Sequence, residues 1–169
     1  MKIKKCIIVG IDPDVDMSGV GVVSLATTPP TMSKKTMRLP QLVDWLRMMR
    51  ETTEVPLLVV VEAGWLCPGN WHLNPRDSKK AAAAKGRQAG RNHQAGLDIC
   101  SFLAHLGIDH IARQPLVKSW KGKDRKITHE ELDRVVRNIN GAGLHGRSNQ
   151  EERDALLLAI YESGLPIRI

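Results

Sequence analysis

Four acidic residues stand where their spacing could support chemistry. Asp12 closes the apolar run I-I-V-G-I-D-P-D, and Glu62 closes L-L-V-V-V-E-A-G. Both read as carboxylates at strand exits, the end of an open α/β sheet where ligands bind. If the two strands are neighbours, the carboxylates lie about 5 Å apart. Two such groups repel unless they are protonated or bridged by a cation. Oxygen donors at that spacing suit Mg²⁺, with Mn²⁺ as a substitute. Glu151 and Asp154, three residues apart at the start of the last helical segment, project from nearly one helix face. Four converging carboxylates would hold two metal ions about 3.5–4 Å apart, an arrangement that supports in-line attack of water on a phosphodiester. Each acid also has a purely structural role open to it. Asp12 can cap a turn before Pro13, and Glu62 can mark a strand emerging into water. Glu151 can be the N3 member of a capping box opened by Ser148, and Asp154 sits where a helix dipole favours acids.

Competing site patterns fail on spacing. Asp12, Asp14 and Asp16 begin like an EF-hand loop, but Met17 replaces the turn glycine and Val23 the bidentate acid. His129 and Glu130 begin an H-E-x-x-H whose last position is Asp133. Gly19-Val20-Gly21 lacks the rest of a dinucleotide-binding fingerprint, and there is no P-loop. Cys6, Cys67 and Cys100 are odd in number and far apart, which fits neither a disulfide framework nor a zinc site. Cys6 and Cys100 lie in apolar context and are expected to be buried thiols, in keeping with a reducing cytoplasm.

Charge supplies the second clue. The 169 residues carry a formal net charge of +7, unevenly placed. Segments 76–93 and 113–126 each hold six Lys or Arg and one acid, which leaves the rest of the chain mildly acidic. Two basic blocks on an acidic body form a surface suited to a polyanion, although a solvated basic helix and loop would have the same composition. Lys85, Arg87 and Arg91 in the first block, with Lys118, Lys121 and Lys123 in the second, are the candidate nucleic-acid contacts. Hydrophobic content of 42% is ordinary for a globular domain, and one domain over 1–169 suits the length. The longest aliphatic run, at 57–61, is far short of a bilayer span. The N-terminus begins like a signal peptide, but its apolar stretch stops early and acids follow. The expectation is a cytoplasmic protein.

The elements that must position these residues follow from pattern. Residues 4–11 and 19–26 read as strands joined by a Pro/Asp/Gly turn, hence a hairpin, and 34–39 as a short edge strand. An amphipathic helix follows Pro40, with Leu42, Val43, Leu46 and Met49 on one face. Residues 57–62 form a strand covered on both sides, and 64–76 are irregular. A long helix spans 77–106, basic in its first half and weakened by Gly86, Gly90 and Gly96. Residues 108–112 suit a strand. Thr128 opens a helix with a capping box to Glu131, and Ser148 opens the last helix with Glu151. The class is α/β: a mixed sheet of about five strands with helices on both faces.

Taken in order, these residues resemble the RuvC-type Holliday-junction resolvases of the RNase H-like nuclease superfamily. G-I-D-P at 10–13 with G-V-G-V at 19–22 looks like that family's first-strand signature, and Glu62 matches its second acid. The stretch K-G-R-Q-A-G-R-N-H-Q-A-G is similar to its Gly-rich helix, and E-E-R-D-A-L-L-L-A-I at 151–160 to its final motif. The resemblance implies an RNase H-like domain and metal binding by Asp12, Glu62, Glu151 and Asp154. It also implies phosphate contacts from Lys118 and Lys121, base stacking by Trp65, and a homodimer cutting four-way DNA junctions. Glu151 stands where the family usually has Asp, and Asp14, where it usually has Gly, adds a carboxylate near the site. Relatives cut RNA or RNA–DNA hybrids, so RNA-directed cleavage is the alternative substrate class and a non-catalytic nucleic-acid-binding module the alternative function. The related ATPase branch is disfavoured, because Pro13-Asp14 makes a poor phosphate cradle.

Overall fold

In the computed structural model, residues 5–68 and 73–168 are described. The chain runs β1 (Ile7–Asp12), β2 (Ser18–Ser24), β3 (Thr31–Met37), α1 (Leu39–Thr52), β4 (Leu57–Glu62), α2 (Lys79–His105), β5 (Asp109–Arg113), α3 (His129–Asn140) and α4 (Gln150–Glu162). Single 3-10 turns lie at Gly64–Leu66 and Lys123–Arg125. The five strands form one mixed sheet in the order β3-β2-β1-β4-β5. The β1, β2 and β3 pairings are antiparallel, whereas β1–β4 and β4–β5 are parallel. The edge strand β3 starts earlier than its sequence pattern predicts, because Thr31 already pairs with Ser24 and the ladder runs unbroken to Met37 opposite Ser18.

Alternation along the strands sends successive side chains to opposite faces, and both faces are covered. Val9, Ile11, Val59 and Val61 pack with Leu42 and Leu46 of α1 and with Ile99 and Leu103 of α2. Ile8, Val23 and Val60 pack on the other side with Leu132, Val135 and Val136 of α3 and with α4. This explains why β4 is apolar at every position before Glu62: its central residues Val59, Val60 and Val61 are fully buried, on both faces of the sheet. In α1 only Leu42 and Leu46 of the predicted stripe are fully buried. The three cysteines are free and only partly buried, so Cys6 and Cys100 are less enclosed than expected.

Three glycines set the approach of α4 to the sheet. A Cβ on Gly10 would stand 2.1 Å from the Ala155 carbonyl oxygen, one on Gly19 2.1 Å from the Glu151 carbonyl oxygen, and one on Gly21 2.2 Å from Leu156 Cα. Gly10 pairs with Gly21 across the hairpin, and Gly19 pairs with Asp12. The G-V-G signature therefore forms a shallow trough in which the helix backbone lies. Residues Ala155 to Ile160 of α4 are buried without interruption, wedged between this trough and α3.

The start of α4 differs from the sequence expectation. Asn149, not Ser148, is the N-cap, and its side chain accepts from the Glu152 amide at 2.9 Å. Glu152 returns the bond to the Asn149 amide at 3.2 Å. Ser148 is engaged elsewhere: its Oγ lies 2.9 Å from His129 Nδ1 and its carbonyl accepts from Arg153. The one-residue shift hands the capping role to Glu152 and releases Glu151 from it. Lys34 on β3 lies 3.4 Å from Glu152 Oε2 and ties the helix start to the sheet edge.

Candidate active site

The C-terminal ends of two parallel neighbours bring the first two acids together. The β1–β4 register ends at Ile11 opposite Val61, so Asp12 and Glu62 are the next residues on adjacent strands. The glycine trough brings the first turn of α4 beside them. Asp12, Glu62, Glu151 and Asp154 all line one open cleft. The opposite wall is α2, through Ala89, Asn92 and His93, and the rim carries Trp65, Pro115, Lys118 and Lys126.

Two of these carboxylates, Asp12 and Glu62, are pushed above their ordinary pKa. Asp12 is pushed well above the usual aspartate value, first by burial and then by the negative charges of Glu62, Asp154 and Glu151, with Lys126 opposing. Glu62 is raised by burial and by Asp154, with Lys118 and Lys126 opposing. Lys118 and Lys126 offset only part of the negative charge, and the raised carboxylates leave a site suited to a hard cation. The donor set is all oxygen, which fits Mg²⁺ or Mn²⁺. Among the described residues no three His, Cys, Asp or Glu side chains are already closed into a coordination shell. Asp154 is turned toward other partners: Gln150 Nε2 donates to its Oδ1 at 2.7 Å, and Lys126 Nζ lies 3.5 Å from its Oδ2.

Lys126 was not singled out from sequence, although it lies within the second basic block. Its position depends on the loop. Asp124 and Arg125 both adopt left-handed backbone, with φ of 55° and 60°, a conformation that costs an L-residue about 1–2 kcal/mol. The reversal is closed by bonds from the Trp120 amide to the Arg125 carbonyl and from the Gly122 amide to the Lys126 carbonyl, both 3.0 Å. Lys126 is thereby returned to the cleft.

Glu131, 5% exposed, anchors the same loop. Its carboxylate accepts from the Thr128 amide at 3.0 Å and from the Lys121 amide at 3.1 Å. Burial pushes its pKa up, but the bonds from Thr128 and Lys121 outweigh it and the net shift is downward. Its contribution to stability is therefore present above the ordinary glutamate pKa and is lost as pH falls through the lower folded value. Glu131→Ala strands two amides and is expected to cost about 1–3 kcal/mol, read as a lower urea midpoint. An unchanged midpoint would mean that water replaces the carboxylate.

The remaining candidates are spread more widely. Asp14 lines the cleft, but its oxygens are occupied. Oδ1 accepts from the Asp16 and Met17 amides at 2.8 and 3.3 Å, and Oδ2 from Asn92 Nδ2 at 3.1 Å. It fastens the β1–β2 turn to α2, with Asn92 Oδ1 also accepting from the Val15 amide at 3.3 Å. Trp65 packs its ring over Gly96, where a Cβ would come within 2.3 Å. It also meets His93 edge to face at 6.5 Å. Trp71, the second tryptophan of the irregular segment at 64–76, lies outside the described residues. On α2, Arg87 and Arg91 are exposed, while Lys85 is paired with Asp77 at 2.7 Å. Lys118 borders the acid cleft, Lys121 is exposed, and Lys123 lines a separate groove between the loop and the start of α4. Asn92 and His93 were missed because nothing in a helical run of polar residues marks which face meets a cleft.

No protein-family model and no curated protein matches the sequence. Among solved structures, the Thermus thermophilus RuvC structure is 18% identical and superposes with a TM-score of 0.52, over 94% of this chain and 96% of that one. Thermus thermophilus RuvC in complex with Holliday junction substrate is 16% identical, with a TM-score of 0.48 over 92% of this chain and 90% of that one. Among the described residues no helix is long and apolar enough to cross a membrane. Strand order, mixed pairing and near-complete coverage together show that the chain has the RuvC-like, RNase H-type fold.

Proposed function

We propose that this chain is a divalent-cation-dependent endonuclease of branched DNA that resolves four-way junctions by paired hydrolytic nicks. The observation that carries this reading is the convergence of Asp12, Glu62, Glu151 and Asp154, from two strands and a helix, on one open cleft rimmed by Lys118 and Lys126. Such acids facing phosphates would only repel them without a cation, which argues against a purely binding role.

In this reading the four carboxylates hold Mg²⁺, or Mn²⁺ in its place. When bound, the metal lowers the pKa of the attacking water and offsets charge on the scissile phosphate and leaving oxygen. The chain's own residues do the rest. Asp12 and Glu62 hold their positions on the rigid sheet, and α4 brings Glu151 and Asp154 to them. Lys118 and Lys126 draw the phosphate into a cleft that would otherwise reject it. Trp65 offers a stacking face at the rim, where a base–aromatic contact is worth about 1–3 kcal/mol. Lys85, Arg87 and Arg91 on one side, and Lys121 and Lys123 on the other, meet backbone phosphates of the arms. Two symmetric cuts need two sites, so the working unit is a two-fold dimer.

The test is cleavage of a labelled four-way junction beside linear duplex, RNA–DNA hybrid and single strand, with Mg²⁺ and with EDTA. Paired, Mg²⁺-dependent nicks confined to the junction are the expected result. Cleavage of the hybrid alone would move the enzyme to RNA, and binding without cleavage would leave a non-catalytic module.

A further inference from the structure

The carboxylate of Asp154 lies at the end of a hydrogen-bond chain that begins at its neighbour Arg153. The Arg153 guanidinium uses all three of its nitrogens. Nε donates to the Ile127 carbonyl at 2.9 Å, Nη1 to the Ser148 carbonyl at 2.6 Å, and Nη2 to Gln150 Oε1 at 2.8 Å. A guanidinium can only donate, so Gln150 must present its oxygen to Arg153 and turn its amide the other way. That amide meets Asp154 Oδ1 at 2.7 Å, leaving Oδ2 facing Lys126 at 3.5 Å. Ile127 directly follows Lys126, so the same guanidinium also clamps the backbone that carries the ammonium group.

We propose that Arg153 is a positioning residue for the acidic cleft. Through Gln150 it sets the rotation of the Asp154 carboxylate, and through Ile127 it sets the placement of Lys126. One planar fork thus fixes the relation between a carboxylate on α4 and a cation on the basic loop. Lysine, a single point charge without the fork, cannot hold three acceptors in these directions. The proposal rests on the metal-dependent reading of the cleft and adds to it the residues that orient one ligand.

The test measures Mn²⁺ binding to the protein alone by electron paramagnetic resonance, beside single-turnover cleavage of a four-way junction. Gln150→Ala is the informative variant, because it removes the amide that orients Asp154 while Arg153 keeps its bonds to Ile127 and Ser148. It is expected to keep the wild-type melting temperature and junction affinity and to weaken Mn²⁺ binding about 10-fold or more. The Mg²⁺ concentration for half-maximal rate should rise in step. Arg153→Lys should show the same loss or a greater one. The double variant Gln150→Ala/Arg153→Lys should bind Mn²⁺ no more weakly than Arg153→Lys alone, since residues acting in series are not additive. Wild-type Mn²⁺ affinity in Gln150→Ala overturns the proposal. Weakened Mn²⁺ binding in Gln150→Ala, with no cleavage of any nucleic acid by the wild type, sustains the positioning role and overturns the nuclease reading. A wild type that binds no Mn²⁺ overturns both.

Discussion

Asp12→Asn is expected to cut metal-dependent cleavage severely and, in the same protein, to raise the melting temperature of the metal-free fold. The two effects have one cause. Asp12 lies in the cleft with Glu62, Asp154 and Glu151 near enough to raise its pKa, and burial raises it further. An acid whose pKa is raised on folding holds its proton in the folded state after the unfolded chain has released it. Stability therefore falls as pH rises from the ordinary aspartate value toward the raised one, and the full penalty applies above that. Asparagine keeps the shape and removes the charge, so the metal-free variant should melt a few degrees higher near neutral pH, at about 2–4 °C for each kcal/mol relieved. Its pH dependence on the acid side should also be flatter. Glu62→Gln, raised by burial and by Asp154, should behave alike. Cleavage should fall on the order of 10³-fold in either variant, the scale of losing several kcal/mol of charge stabilisation at the phosphate. Calorimetry without divalent ions and single-turnover kinetics with them check both halves. A variant that is less stable and also binds junctions poorly would make these acids structural.

Gly21→Ala is expected to disable the cleft without touching any of its residues. The added methyl would fall 2.2 Å from Leu156 Cα and 2.4 Å from its nitrogen, which is backbone that no rotamer change can move aside. The helix must lift from the sheet, and overpacking of this kind costs about 1–3 kcal/mol. The same displacement carries Glu151 and Asp154 away from Asp12 and Glu62. A shift near 1 Å at a reacting centre is worth about 10²-fold in rate, so activity should fall far more than the modest stability loss would explain. Gly19→Ala, with its methyl 2.1 Å from the Glu151 carbonyl oxygen, should act at the end of the helix that carries Glu151 and Asp154. Gly90→Ala on α2 meets nothing within 4 Å and should stabilise by up to about 1 kcal/mol. Urea unfolding and cleavage rates on the three variants separate these outcomes. Unimpaired cleavage by a well-folded Gly21→Ala would show that α4 does not need this closeness.

Much of the fold and its acids was legible because it depends on local pattern. An apolar run of strand length, rich in β-branched residues and ending in Glu62, reads as a covered strand with its acid at the exit. Asp12 after I-I-V-G-I reads the same way, and T-x-x-E at 128–131 forms the capping box seen at α3. Lys126 was hidden among the six basic residues of 113–126, because its direction is set by left-handed backbone at Asp124 and Arg125. The role of Asp14 was equally hidden, because its partner Asn92 lies 78 positions away.

The start of α4 shows where local information ends. Residues 148–152 read S-N-Q-E-E, in which Ser148 with Glu151 and Asn149 with Glu152 both satisfy the capping pattern. Chain chemistry alone makes the two registers equivalent. Contacts from distant elements break the tie: His129 of α3 engages the Ser148 hydroxyl, and Lys34 of β3 lies beside Glu152. Capping therefore passes to Asn149 and Glu152, and Glu151 is left to face Asp12. Residue types and spacings were enough to supply four acids and a sheet to carry two of them. Long-range packing, through three glycines and one displaced cap, chose which carboxylates face the cleft, because a helix terminus takes the register whose competing polar groups find partners elsewhere.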